Sequence, residues 1–133
     1  MRVLHILAAD YANVTKDGKI NVMGVFNRIF AHKFPARQPE MHLVVKLDAS
    51  PAEYDTVRKL IIKLLDEAGR QEIVNWSRDI HIPMGSGAER AEINQILRLR
   101  DVVFPTPGAY QFSVIVDKDE KGTLPITVAL MEN

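Results

Sequence analysis

The chain contains no cysteine among its 133 residues. This absence excludes disulfide bonds, zinc–thiolate sites, cysteine-held iron–sulfur clusters and cysteine nucleophiles. A chain of this length buries roughly two-thirds of the surface that its unfolded form exposes, so it needs neither a disulfide nor a metal to fold. We therefore expect a single domain over residues 1–133, and no motif predicts a cofactor.

Neither sign of charge is in excess, because 17 Lys and Arg residues balance 17 Asp and Glu residues. Nucleic-acid binders usually show a basic excess or stripe, so this balance predicts no nucleic-acid partner. Nor does it support an electrostatic membrane anchor. The apolar run VLHILAA at 3–9 is interrupted by His5 and is too short to span a bilayer. We expect a cytoplasmic protein with no membrane partner.

Long helical patterns are scarce, whereas period-two alternation of apolar and polar residues, typical of strands, recurs along the chain. Turn signals such as KDGK, DEAGR, FPTPGAY and DKDEKG separate the alternating segments. The stretch TVRKLIIKLLDEAG at 56–69 is also compatible with a helix, but its β-branched residues and the turn after it favour a strand. The pattern predicts an all-β fold, an antiparallel, immunoglobulin-like sandwich of about eight strands. The alternating segments after the opening hairpin are 41–48, 60–65, 74–82, 93–100, 110–117 and 124–130.

The stretch NVTKDGKIN at 13–21 predicts a hairpin whose turn is Lys16-Asp17-Gly18, with Gly18 in the left-handed region. This bulged turn pairs Val14 with Ile20 and continues to Asp10 opposite Gly24 and Ile6 opposite Arg28. A strict two-residue turn would shift the register by one and place Asn21 opposite Val14, so we prefer the bulged form. Asn13-Val14-Thr15 matches a glycosylation triplet, but a plain hairpin explains it.

The odd-numbered face of this hairpin is also apolar away from the turn, and a hairpin that is apolar on both faces must be covered on both. Either the segment HKFPARQPE at 32–40 folds over the odd face or another chain does. Internal cover is the simpler expectation. A homodimer or another protein partner is the sharper alternative. The interface candidates are Tyr11, Met23, Val25, Ile29, Phe34 and Arg37.

Chemistry-bearing residues are few and scattered. The four histidines have no local ligand spacing, since His5, His42 and His81 fall on outward faces and His32 lies near a loop, so no metal site is predicted. GSG at 85–87 lacks the spacing of a phosphate-binding loop and indicates an ordinary loop. No catalytic residue can be assigned, and we favour a protein that is not an enzyme.

Asp10 is the one acidic residue on the otherwise apolar even-numbered face, and Arg28 shares that face. In a structural role Asp10 would bind backbone amides or reach Arg28 through a relay. In a functional role it would lie at the mouth of a pocket. Asp10 and Arg28 are therefore the pocket candidates, and both interpretations remain open.

Several motifs resemble an uncharacterised bacterial family known only as a domain of unknown function. They are Ala-Asp-Tyr-Ala at 9–12, Gly-Lys at 18–19, Gly-x-Phe-x-Arg-Ile at 24–29 and Phe-Pro at 34–35. LDEAGR at 65–70 and FPTPGAYQFSVIVD at 104–117 are also similar to segments of that family. The resemblance implies a small sandwich domain and brings no catalytic residue with it.

Two functional hypotheses follow. The first is a non-catalytic binding or assembly module that acts through the face of its N-terminal hairpin. The alternative is a small-molecule-binding protein or an undescribed enzyme with a pocket near Asp10 and Arg28.

Overall fold

Nine strands build the fold in a computed structural model that describes residues 1–85 and 89–132. Apart from one 3-10 turn at Pro51–Glu53, the described residues form no helix. The strands are β1 (Arg2–Val14), β2 (Ile20–Phe26), β3 (Arg28–Ala31), β4 (Ala36–Ala49), β5 (Val57–Asp66), β6 (Glu72–His81), β7 (Ala91–Phe104), β8 (Gly108–Val116) and β9 (Asp119–Leu130).

The strands form two sheets. The first has the order β2-β1-β4-β7 and the second has the order β3-β9-β8-β5-β6. The prediction of an all-β fold is confirmed. The count is nine rather than eight, because the second strand of the opening hairpin divides into β2 and β3. The pairing is not wholly antiparallel either, since β3 runs parallel to β9.

One hydrophobic core lies between the sheets. Alternate residues of β4 face it from the first sheet, including the fully buried Leu43 and Val45. Ile62 and Phe112 face it from the second. Each buried side chain of this size contributes about 1.5–3 kcal/mol relative to an exposed one, so the alternating pattern specifies which face of each strand points inward.

The opening hairpin has the predicted register. Val14 pairs with Ile20 and Asn13 with Asn21. In the turn, the amide of Gly18 donates to the carbonyl of Thr15 at 3.0 Å, and Gly18 has a φ of +86°. The bulged form of the turn is therefore confirmed, and glycine is needed there because other residues rarely adopt such a backbone conformation.

The predicted pairing of Ile6 with Arg28 is wrong. The chain leaves the first sheet after Phe26, and β3 begins at Arg28, which pairs with Thr127 of the second sheet. By contrast, the preference for a strand over a helix at 56–69 is confirmed, because β5 pairs with both β6 and β8.

The expected internal cover over the odd-numbered hairpin face is not formed by the segment 32–40. Only residues 32–35 link the two sheets there, and the rest of the segment already belongs to β4. Met23, Val25 and Tyr11 remain 66%, 58% and 48% exposed. An extended strand inside the first sheet cannot also fold over the outside of that sheet.

Candidate functional site

Large apolar side chains are exposed side by side on the outside of the first sheet. Ala9 pairs with Val25, and Tyr11 pairs with Met23, so all four lie on one face of the hairpin. On the same face of β1, Leu7 is partly buried and Ala9 is fully buried, so the exposed members are Tyr11, Met23 and Val25. We call Leu7, Ala9, Tyr11, Met23 and Val25 the hairpin face.

The outer side of the central strand is apolar next to the hairpin face, but it is buried. Val44 of β4 lies between Leu7 and Ile96 in one row across the sheet and is 1% exposed. Sequence reasoning missed Val44 and Ile96 on this side of the sheet. The signal that could have revealed Val44 is the run HLVVKL at 42–47, which carries an apolar residue at a position where the alternation calls for a polar one.

His42 lies on the outer side of β4, as expected, but it is buried rather than at the surface. The Tyr11 ring meets the imidazole edge-on, with ring centroids 5.2 Å apart. Nδ1 of His42 lies 3.1 Å from the carbonyl oxygen of Asp10, which accepts its hydrogen bond. The histidine therefore supports β1 from beneath the hairpin face.

Two ion pairs lie next to the hairpin face on the outer side of β4 and β7. Glu40 forms an ion pair with Arg98, and the hydrogen bond from Arg98 lowers the pKa of Glu40. Further along the sheet, Lys46 lies 3.0 Å from Glu92. The hairpin face itself is thus uncharged, and the charges in these two pairs neutralise each other.

A second candidate site is a cleft of about 320 Å³ where the chain passes from β2 to β3. Gly24 has a φ of +69°, and a Cβ at this position would lie only 2.4 Å from Oδ2 of Asp10. The Asp10 carboxylate therefore lies across β2 in space that a larger residue would fill. Residues around this cleft include Asp10, Gly24, Phe26, Arg28, Phe30 and Gln38.

The structure brings the two pocket candidates, Asp10 and Arg28, to this one cleft. Both side chains are exposed. Neither forms an ion pair within the described part of the chain. Gln38 and the exposed Phe30 were not predicted here, because their proximity to Asp10 depends on the change of sheet.

Three interface candidates lie away from the hairpin face. Ile29 belongs to β3 and packs against the core, as does Phe34. Arg37 forms an ion pair with Asp101 of β7, the edge strand of the first sheet that lies opposite β2. The prediction that Ile29 lies on the hairpin face is wrong. The alternation of apolar and polar residues continues past Asn27, but the chain changes from the first sheet to the second there.

The remaining features considered from the sequence are a metal site, a membrane-spanning segment and the GSG segment. Among the described residues, no group of three or more His, Asp and Glu side chains is arranged to hold a metal ion. In the same ranges no helix has the length and hydropathy needed to cross a membrane. Ser86 and Gly87 of the GSG segment lie outside the described residues.

These features define an all-β class of protein, with two sheets around one core and its candidate sites on the outside of a sheet. Within that class, the chain belongs to a family of unknown function, DUF6941, whose model matches residues 4–129. The resemblance to a domain-of-unknown-function family is thereby confirmed. No curated protein matches the chain.

One similar solved structure is the alkylpurine DNA glycosylase AlkC of Pseudomonas fluorescens, bound to DNA containing an abasic site analog. The match has 11% identity and a TM-score of 0.42, and it covers 92% of this chain and 30% of that one. That neighbour is itself bound to DNA, and the prediction of no nucleic-acid partner for this chain is withdrawn. Balanced totals of charge say nothing about where the charges lie on the surface. A likeness this low assigns no DNA-binding role to this chain.

Proposed function

We propose that this protein is a non-catalytic assembly module whose hairpin face packs against the hairpin face of a second copy. The observation that carries the proposal is the exposure of Met23, Val25 and Tyr11 side by side. An apolar surface of this kind on the outside of a sheet is typical of an interaction site.

Charge favours a second copy as the occupant. The hairpin face carries no ionisable group except the Tyr11 phenol, and Glu40 and Lys46 beside it are paired within their own chain. A partner surface must therefore be apolar and uncharged at its centre. The hairpin face meets that requirement itself, and twofold interfaces use the same patch on both subunits.

The edge of the first sheet supports the same conclusion. Natural edge strands usually carry charges or proline that discourage pairing with another chain. The β2 edge, with the sequence INVMGVF, has neither. The other edge strands, β3, β6 and β7, all carry charged residues. Met23 and Val25 of the hairpin face belong to this unprotected edge strand.

Sedimentation velocity over a concentration series tests the proposal. We expect the wild-type chain to shift from monomer to dimer as the concentration rises. Met23→Asp and Val25→Asp should each weaken association at least about tenfold, because the twofold places two unpaired carboxylates in an apolar contact. A wild-type chain that stays monomeric at every concentration would contradict the proposal.

Val57→Asp is the matched control. Val57 is 65% exposed, close to the 66% of Met23, but it lies at the start of β5 in the second sheet. We expect Val57→Asp to dimerise as the wild type does. If it weakened association as much as Met23→Asp, the interface would not be the hairpin face.

We also propose an immunoglobulin-like arrangement in one domain over residues 1–133, and a cytoplasmic location. The two sheets around one core support the first. The absence of cysteine supports the second, because disulfides accumulate in oxidising compartments. Recovery of the chain in a secreted or membrane fraction would contradict the location.

A further inference from the structure

The cleft between β2 and β3 contains two charged side chains, Asp10 and Arg28. Neither forms an ion pair with another residue in the described part of the chain. Elsewhere on the first sheet, exposed Arg37 and Arg98 each form an ion pair with a nearby carboxylate. Asp10 and Arg28 line one cleft, yet they form no ion pair with any described residue. A ligand that carries both signs of charge can satisfy both side chains at once.

Gly24 makes this arrangement possible. Any other residue would place its Cβ 2.4 Å from the Asp10 carboxylate and 2.9 Å from Cγ of the same side chain. The φ of +69° would in addition strain an L-residue there. The backbone of β2 is therefore shaped so that the carboxylate of Asp10 lies against it.

The rest of the cleft is apolar with one neutral polar group. Phe30 is 54% exposed and presents a ring that an apolar ligand body can cover. Phe26 and Ile29 lie beside it, and Gln38 supplies an amide that can donate and accept. The volume of about 320 Å³ lies at the lower end of the roughly 300–1,000 Å³ usual for ligand pockets.

We infer that this cleft binds a small zwitterion, an α-amino acid with an apolar side chain. The Asp10 carboxylate accepts hydrogen bonds from the ligand ammonium, and the Arg28 guanidinium donates to the ligand carboxylate. The ligand side chain packs on Phe30. This inference goes beyond the proposed assembly function and does not depend on it.

Titration with L-phenylalanine, followed by calorimetry on the full chain, tests the inference. Two matched probes each lack one charge: phenylacetate has no ammonium, and 2-phenylethylamine has no carboxylate. We expect saturable binding of L-phenylalanine and at least roughly tenfold weaker binding of either probe. Failure of L-phenylalanine to bind, or equal binding of a one-charge probe, would overturn the inference.

Variants locate the site. Asp10→Asn and Arg28→Gln should each weaken L-phenylalanine binding by about tenfold or more, since each removes one charge-assisted contact. Asp79→Asn, an exposed acid on the far edge strand β6, is the control and should bind as the wild type does. Binding that is unchanged in both cleft variants would overturn the assignment. Dimer formation by the same variants, measured separately, distinguishes this result from a failure of the assembly proposal.

Discussion

Asp48 is a nearly fully buried carboxylate held between two arginines. Nε of Arg2 donates to its two oxygens at 2.8 and 3.0 Å, and Nε of Arg90 lies 3.0 Å from Oδ2. The hydrogen bond from Arg2 lowers the pKa of Asp48, burial opposes this, and Arg90 lowers it further. Three distant parts of the chain are joined at this one side chain: the start of β1, the end of β4 and the residue that precedes β7.

Asp48 should make the stability of the protein depend on acid pH. Its pKa is lower in the folded chain than the value of about 3.9 in the unfolded chain, so the unfolded state binds the proton more readily. The stabilisation is present above that unfolded value and is lost as the pH falls through the lower folded value. Urea unfolding at a series of acid pH values should show this loss in the wild type and a smaller one in Asp48→Asn.

At neutral pH, Asp48→Asn should lower the free energy of unfolding by about 1–3 kcal/mol, because two guanidinium groups lose their charged acceptor. Asp79→Asn on the exposed edge strand β6 serves as the control and should change little. An Asp48→Asn chain with wild-type stability and an unaltered acid response would show that the network contributes nothing.

At the scale of elements, local patterns predicted the opening hairpin well. Gly18 and the alternation on both sides of it fix the register of β1 and β2, because both signals lie within a few residues of the turn. The break at Asn27 was not predictable from the same signals. Alternation specifies which side chains share a face, but not which sheet the strand joins, and Arg28–Ala31 alternates equally well in either.

The same limit applies to the candidate site. Asp10 stood out as one acid on an apolar face, and this was enough to select it. Gln38 reaches the cleft through β4, and Phe30 through a strand that belongs to the other sheet. This proximity arises from packing between distant parts of the chain. The periodicity within a single segment does not predict such packing.

Gly24 should be the residue on which the contact of β2 with Asp10 depends. Gly24→Ala combines left-handed strain with a clash against the Asp10 carboxylate. Gly18→Ala is the matched control, because Gly18 also has a positive φ but has nothing within 4 Å of the added Cβ. Urea unfolding should show a loss of about 1–2 kcal/mol for Gly18→Ala from strain alone and a larger loss for Gly24→Ala.

A double-mutant cycle separates the clash from the strain. In the background of Asp10→Ala, the carboxylate atoms that the new Cβ would meet are gone and only the Cβ of residue 10 remains, at 3.1 Å. The cost of Gly24→Ala should therefore fall toward that of Gly18→Ala. If Gly24→Ala destabilised both backgrounds equally, strain would account for its whole effect and the contact with Asp10 would play no part.

At the scale of the whole molecule, the charges and the apolar surface are segregated. The long strands β4 and β7 neutralise their own charges through pairs such as Glu40 with Arg98, whereas the hairpin of β1 and β2 exposes apolar side chains at the opposite edge of the first sheet. A monomer gains nothing from leaving that edge both apolar and unprotected. A second copy packed there would cover both the exposed apolar side chains and the unpaired edge strand.

Association of this kind should make thermal stability depend on protein concentration. Unfolding of a dimer releases two chains, so mass action raises the Tm as the concentration increases. We expect the Tm of the wild type to rise across a concentration series, while the Tm of Met23→Asp stays constant because that chain unfolds as a monomer. Val57→Asp should retain the rise, since its new charge lies on the second sheet. A wild-type Tm that is independent of concentration, over a range in which sedimentation shows dimer, would mean that the dimer dissociates on heating before the chains unfold, and it would contradict this prediction.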